Sequence, residues 1–244
     1  MKGIILAAGK GARLRPWTDD KPKPLLEMAG RPILDYILDG FVSAGVDDLS
    51  VVIGYLGGRI VDHYGNEYGG MGIRYIEQKE LLGTAKALLL AEEVLKDETF
   101  MLGFGDVLAD LENYRALAGF HGKGGFEATI TLNHVDDPYA GAAVYMDGGR
   151  VVKLIEKPPK GTSTTHWNNR GFFMLTPVIF KEIHNLKVSP RGEYDLPTAV
   201  NMIVERGGLV GGMPIEGFTS DVGTKEEFRE YEEYLLNKKR QVVG

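Results

Sequence analysis

Met1-Lys2-Gly3-Ile4-Ile5-Leu6-Ala7-Ala8-Gly9-Lys10-Gly11-Ala12-Arg13-Leu14-Arg15-Pro16, followed after a polar interval by Pro22-Lys23-Pro24-Leu25-Leu26, is the stretch from which the rest of the chain can be read. Ile4-Ile5-Leu6 is an apolar strand that stops at small residues and glycines. Such an ending delivers backbone N–H groups to one spot, where no Cβ holds an anion at a distance. The pattern predicts a phosphate cradle.

The neighbouring residues narrow the chemistry. A dinucleotide-binding turn requires glycine where Leu14 stands, and a Walker-type loop ends in Gly-Lys-Ser/Thr. Neither pattern is present. Instead Gly9-x-Gly11-x-Arg13 is followed by Lys23, set between two prolines that fix φ and bias the preceding residues to extended geometry. A guanidinium and an ammonium would then flank one triphosphate, the fork suited to paired oxygens and the point charge to a single one.

With these residues in view, LAAGKGARLRPWTDDKPKPL followed by GRPILDYIL resembles the signature of the sugar-1-phosphate nucleotidylyltransferases. That family includes glucose-1-phosphate thymidylyltransferases and mannose-1-phosphate guanylyltransferases. The resemblance covers essentially all 244 residues. It implies an α/β fold: a three-layer α/β/α, Rossmann-like arrangement with a mostly parallel central mixed sheet, and a small additional sheet or hairpin for the sugar. It also implies one catalytic domain over 1–244, with a nucleotide-binding part over about 1–110 and a sugar-phosphate part over about 111–244. No hexapeptide repeats are found, so no left-handed β-helix is expected after it.

The formal net charge of −6 argues against wholesale binding to nucleic acid or an anionic membrane, so anionic substrates must be met by local cations and metal. No run of about eighteen apolar residues suggests a membrane span, and the N-terminus enters a strand directly. The expectation is a soluble, cytoplasmic protein. Absence of cysteine excludes disulfides and thiolate ligands. Lys238-Lys239-Arg240 reads as the solvated last turn of a helix, where cations complement the dipole, rather than as a nucleic-acid patch.

Along the first half, strand-like runs alternate with helical patterns, the sign of a largely parallel sheet covered on both faces. The spacing predicts a helix over Ile33–Val42, a strand over Leu49–Ile53, a short helix over Arg59–Tyr64 and a strand over Ile73–Ile76. Another helix is expected over Ala85–Leu95, capped by Thr84. Phe100 to Asp106 reads as a buried central strand ending in an acid, and in open α/β sheets ligands lie beyond the carboxyl ends of the strands. Asp106 therefore stands where Mg²⁺ would bridge a nucleotide's phosphates, although a helix cap is the competing reading. In the second half, strands over Ala128–Val135, Gly141–Met146 and Val151–Ile155 have no long helices between them, and Asp147-Gly148-Gly149 signals a hairpin. A helix over Thr198–Arg206, a strand over Leu209–Ile215 and a final helix over Lys225–Asn237, capped by Thr224, complete the expected elements.

What the family resemblance adds is a set of site roles. It assigns the nucleotide to Leu6, Ala7, Ala8, Gly9, Lys10, Gly11, Arg13, Lys23, Gln78, Gly83, Thr84 and Asp106. Gln78 would meet the base edge, and its amide offers the donor and acceptor that uracil or thymine requires. The sugar phosphate falls to Gly141, Glu156, Lys157, Asn169 and Gly171. Gly217-Phe218-Thr219-Ser220-Asp221-Val222-Gly223-Thr224 resembles the family's Asp-x-Gly-Thr motif, whose aspartate is the second metal ligand beside Asp106. The chain departs from the family at Phe104, at Ala140 and at Phe218, where asparagine, tyrosine and tryptophan are usual.

The implied reaction joins a nucleoside triphosphate, dTTP or UTP favoured, to a sugar-1-phosphate, glucose-1-phosphate favoured, with Mg²⁺ held by Asp106 and Asp221. Arg13, Lys23, Asp106 and Asp221 form the expected catalytic set. A sugar phosphate is already ionised at neutral pH, so His63, His121, His134, His166 and His184 receive no role. The alternatives are a mannose-1-phosphate guanylyltransferase, an amino-sugar-1-phosphate uridylyltransferase, and a nucleotide-sensing protein without chemistry. Homo-oligomerisation is left open.

Overall fold

The computed structural model describes residues 1–243. The chain begins with β1 (Lys2–Leu6), a small ribbon of β2 (Glu27–Met28) and β3 (Arg31–Pro32), α1 (Ile33–Ser43), β4 (Asp48–Ile53) and α2 (Gly57–Tyr64). Then come β5 (Glu67–Tyr68), β6 (Met71–Glu77), α3 (Thr84–Leu89), α4 (Glu92–Leu95) and β7 (Phe100–Phe104). After α5 (Leu111–Gly124) the chain forms β8 (Ala128–His134), β9 (Ala142–Asp147), β10 (Arg150–Glu156) and β11 (Trp167–Leu175). It closes with α6 (Val178–Asn185), α7 (Leu196–Glu205), β12 (Val210–Pro214) and α8 (Lys225–Val243).

Ten strands make one sheet in the order β5-β6-β4-β1-β7-β11-β8-β12-β10-β9, with β11 also meeting β9. From β6 to β7 the strands are parallel, with Ile4 opposite Ser50 on one side and Leu102 on the other. Beyond β7 the pairing is mixed: β11 runs antiparallel to both β7 and β8, and β12 parallel to β8. The expected hairpin is present as β9 and β10, which turn at Gly148-Gly149 and pair Asp147 with Arg150. It is hydrogen-bonded into the edge of the main sheet through β12.

Side chains alternate across a strand, and the alternation splits the core into two layers. Ile5, Val51, Met101, Phe172 and Met174 face α1, α5 and α8, where Ile37, Phe41, Tyr114 and Tyr231 are buried. Ile4, Val52, Leu102, Phe173 and Leu175 face α3, α6 and α7, where Leu88, Ile179, Phe180, Val200 and Ile203 are buried. Each fully buried aliphatic or aromatic side chain contributes on the order of 1.5–3 kcal/mol, so both helical layers are held mainly by this burial. Among the described residues no helix is long and apolar enough to cross a membrane.

Several elements differ from the sequence reading. The helix expected over Ala85–Leu95 is two pieces, because the backbone leaves helical geometry at Ala91, φ −100° and ψ 8°. Thr84 does not cap it: the cap position is Gly83, and no side chain bonds there. Two helices lie outside the expected elements, α5 ahead of β8 and α6 after β11, while no long helix separates β8, β9 and β10. The final helix runs well past Asn237, and its Thr224 cap is a reciprocal box in which Glu227 N–H donates to Thr224 Oγ1 and Thr224 N–H to Glu227 Oε2. Lys238 and Lys239 are not a merely solvated last turn. Lys238 Nζ lies 2.7 Å from Asp110 Oδ1, and Lys239 Nζ donates to the Ala29 carbonyl, so both staple α8 onto the body.

Candidate active site

The carboxyl ends of the parallel strands open onto a cleft of about 780 Å³ that extends across to β9, β10 and β11. Its floor at the nucleotide end comes from the chain leaving β1: Ala7 N–H donates to the Val52 carbonyl, after which Ala8, Gly9 and Gly11 line the wall. Leu6, Arg13, Lys23, Gln78, Gly83, Thr84 and Asp106 line it too. Lys10 does not: its exposed side chain lies outside the lining. Gly141, Glu156, Lys157, Asn169 and Gly171 line the opposite end, and Asp221 stands between.

Tertiary pairing brings Asp106 and Asp221 together. The segment after β7 and the segment before α8 form a short antiparallel bridge, Leu108 N–H to the Ser220 carbonyl at 2.8 Å and Ser220 N–H back at 3.2 Å. Val222, next to Asp221, sits at φ 41°, a strained setting for a β-branched residue. That turn points the Asp221 carbonyl inward. Lys23 Nζ donates to it at 3.0 Å and to Asp106 Oδ2 at 2.7 Å. Asp106 begins no helix, so the capping alternative fails.

Lys23 is held by the backbone. Pro22 is extended, at φ −65° and ψ 146°, and a single 3-10 turn over Lys23–Leu25 buries the lysine stem. Only 9% of its side chain is accessible, against 39% for Asp106 and 48% for Asp221. A pair so exposed on its acidic side contributes on the order of 1 kcal/mol or less to folding. A buried ammonium held at the cleft by the Asp106 carboxylate and the Asp221 carbonyl is therefore better suited to binding an anion than to stability. Arg13 reaches the same place from the other side: a Cβ on Gly223 would lie 2.6 Å from its Nη2.

Arg170, to which the sequence assigned no role, lies inside this group. Its Nη1 is 3.8 Å from Asp221 Oδ1, and its Nε donates to Thr219 Oγ1 at 2.9 Å. Burial lowers its pKa, while Asp221, Glu227 and Asp106 pull it back up.

At the sugar end, Lys157 has φ 45° and its N–H donates to the Gly141 carbonyl at 2.7 Å. Arg191 Nη2 is 2.9 Å from Asp195 Oδ1 and 3.7 Å from Glu156 Oε1. Burial, with the Asp195 carboxylate adding to it, pushes Glu156 up to about 7 against the pull of Lys157 and Arg191. Asp195 holds the cap position of α7 but makes no cap hydrogen bond, and its Oδ2 is buried without a partner. Asn169 is turned on its own strand, with Oδ1 accepting from Gly171 N–H at 3.3 Å.

The two ends of the cleft are spliced by backbone. Tyr194 N–H donates to the Leu82 carbonyl and Ala85 N–H to the Tyr194 carbonyl. The hydroxyl of Thr84, free of capping duty, accepts from Leu196 N–H at 3.0 Å. Gly83 makes the close approach possible: at φ 104°, any Cβ there would lie 2.5 Å from the Tyr194 carbonyl oxygen. Of the histidines, His121 is buried against Thr129 and His184 pairs with Glu92, and none lines the cleft.

Comparison with known proteins finds relatives of this chain. The profile of the nucleotidyl transferase family matches residues 2–238. The chain is 36% identical over 246 residues to a UTP–glucose-1-phosphate uridylyltransferase of Haloferax volcanii, covering 100% of both chains. It is 33% identical to a glucose-1-phosphate thymidylyltransferase of Streptomyces antibioticus, over 97% of this chain and 66% of the other. A crystal structure of UDP-glucose pyrophosphorylase complexed with UDP-glucose superposes with a TM-score of 0.87 at 20% identity, covering 97% of this chain and 98% of that one. At that identity the likeness speaks for the fold.

Proposed function

The chain belongs to the nucleotidyl transferase family, and from that premise we propose that it joins a nucleoside triphosphate, UTP or dTTP, to glucose-1-phosphate, releasing pyrophosphate. The observation that carries this reading is the meeting of Lys23, Asp106 and Asp221 at the mouth of a glycine-rich turn, with Arg13 beside them. In the reaction a phosphate oxygen of the sugar phosphate forms a bond to the α-phosphorus. The bond from that phosphorus to the bridging oxygen breaks, and pyrophosphate leaves with the electron pair. Both reactants are anions, so the barrier is repulsion, disorder and charge gathering on the α-phosphoryl group.

Each part of the cleft meets one of these costs. The Ala7–Gly11 backbone holds the triphosphate, Arg13 takes the departing pyrophosphate as a bidentate fork, and Lys23 steadies the transferring group. Gln78 reads the base edge, its amide matching the donor and acceptor of a uracil or thymine. Glu156 accepts sugar hydroxyls and Lys157 meets the phosphate, with the Gly141 and Gly171 backbones close against the ring. The nucleotide thus belongs to the part over about 1–110 and the sugar phosphate to the part over about 111–244. No side chain serves as nucleophile.

A divalent ion fits the donor set. Asp106 and Asp221 offer hard oxygen ligands at the cleft surface, and among the described residues no cluster of three or more His, Cys, Asp or Glu could hold a metal. That arrangement suits Mg²⁺, which is commonly held by one or two carboxylates, water and substrate phosphates. Bound there, it would neutralise charge on the triphosphate. The cytoplasm is the compartment this reading implies.

Pyrophosphate release over a matrix of nucleoside triphosphates and sugar-1-phosphates, with Mg²⁺ present or chelated, is the test. Turnover with UTP or dTTP and glucose-1-phosphate that stops on chelation is the expected result. Activity confined to GTP would overturn the pyrimidine assignment, and no turnover with intact nucleotide binding would overturn the transferase reading.

A further inference from the structure

We propose that Arg170 is a catalytic residue that binds the phosphoryl group in transfer, a role that rests on the transferase reading above. Along β11 the pairing with β8 is regular at Asn168 and Asn169 and again from Phe173, with a register shift between Asn169 and Phe173. Irregularities of this kind re-aim a side chain beside an active site. Gly171 lies within this one at φ 84°, and a Cβ there would stand 2.7 Å from Phe104 Cδ2. The strand therefore swings in against β7, and Arg170 enters the cleft lining.

Once there, the guanidinium is only partly satisfied. Its side chain is 12% accessible. Nε donates to Thr219 Oγ1, whose own hydroxyl donates to the Leu108 carbonyl at 2.7 Å, so the base of the fork is fixed. Asp221 Oδ1 at 3.8 Å from Nη1 is an ion-pair neighbour beyond hydrogen-bond distance. Among the described residues the η nitrogens have no hydrogen-bond acceptor. An enclosed guanidinium with its fork unengaged is costly unless an anion completes it, and paired phosphoryl oxygens match that fork. Arg170 shares Asp221 as a neighbour with Lys23, which puts its open edge toward the place where the α-phosphoryl group would lie.

The test uses Arg170→Met, Arg170→Lys and Arg170→Ala, with Mg²⁺, glucose-1-phosphate and UTP or dTTP, and thermal unfolding as the check on folding. Arg170→Met is expected to lower kcat by about a hundredfold or more, the usual cost of a lost electrostatic donor. The Mg²⁺ concentration at half-maximal rate should stay unchanged. Arg170→Lys should recover only part of the loss, because an ammonium cannot present a planar fork. If Arg170→Met fails to fold, Arg170→Lys carries the same comparison. Added guanidinium should restore activity several-fold to Arg170→Ala. Turnover within threefold of wild type, or a deficit that saturating Mg²⁺ repairs, would overturn the assignment, the latter by reducing Arg170 to a tether for Asp221. An inactive wild type would instead remove the transferase reading, and calorimetric binding would then decide Arg170. Binding of UTP weakened about tenfold in Arg170→Met, with uridine unaffected, would retain it as a phosphoryl ligand, whereas unchanged binding would dismiss it.

Discussion

Replacing Lys23 by methionine keeps most of the buried stem and deletes one charge, so it separates the chemical role of this residue from its packing. Two hydrogen bonds disappear, to Asp106 Oδ2 at 2.7 Å and to the Asp221 carbonyl at 3.0 Å. Breaking a fully buried pair costs about 3–5 kcal/mol, but Asp106 is 39% accessible and water can replace much of what is lost. A destabilisation of about 1–2 kcal/mol follows, which for a chain of this size lowers Tm by about 2–8 °C. The effect on the transition state is larger, because charge gathers on the phosphoryl group in a partly dehydrated cleft. Loss of one such donor typically costs about 2.7–4 kcal/mol, or a hundred- to a thousandfold in kcat. The assay is pyrophosphate release at saturating substrates beside a thermal melt. A fold as stable as this estimate allows, together with turnover within threefold of wild type, would refute the place given to Lys23.

Asp106→Asn and Asp221→Asn should each lower kcat by about a hundredfold or more while circular dichroism stays native, since both side chains are substantially accessible; near-normal rates in either would release it from metal binding. Gly83→Ala should cost about 2–3 kcal/mol in stability through its φ of 104° and the Tyr194 backbone, and raise the KM for glucose-1-phosphate by disturbing Arg191 to Leu196, measured by melting and steady-state kinetics. Glu156, raised by burial to about 7 from an ordinary value of 4.5, binds more protons folded than unfolded between those two pH values. Its stabilising contribution is thus present below pH 4.5 and lost as pH rises through about 7, amounting to about 3 kcal/mol. Glu156→Gln should melt close to wild type near pH 4.5 and clearly above it at pH 8; equal melting at both would refute the assignment of that titration to Glu156.

Local signals made most of the first half legible. Periodicity located α1 to within a residue at Ser43 and β4 to within one at Asp48, because each buries a face against the sheet. Spacing after the glycine turn singled out Lys23 and the end of a buried strand Asp106, whereas Asp221 was legible only through its resemblance to the family's Asp-x-Gly-Thr motif. Misreadings arose where a side chain's partner was distant. Thr84 has the composition of a cap but accepts from Leu196 N–H, and Lys238 has that of a solvated helix end but pairs with Asp110. The η face of Arg170 depends on a register shift that alternating hydrophobicity cannot report.

By itself, then, the sequence determined the parallel half of the sheet, the glycine turn beyond its first strand and the residue types needed around a triphosphate, because periodicity, steric freedom at glycine and charge are properties of short segments. Tertiary structure alone decided that Asp221 stands beside Asp106 through the Leu108–Ser220 bridge, that Thr84 splices the two ends of the cleft and that Arg170 enters it. Those are contacts between segments far apart in the chain, fixed only when burial of both faces of the sheet sets every strand in register.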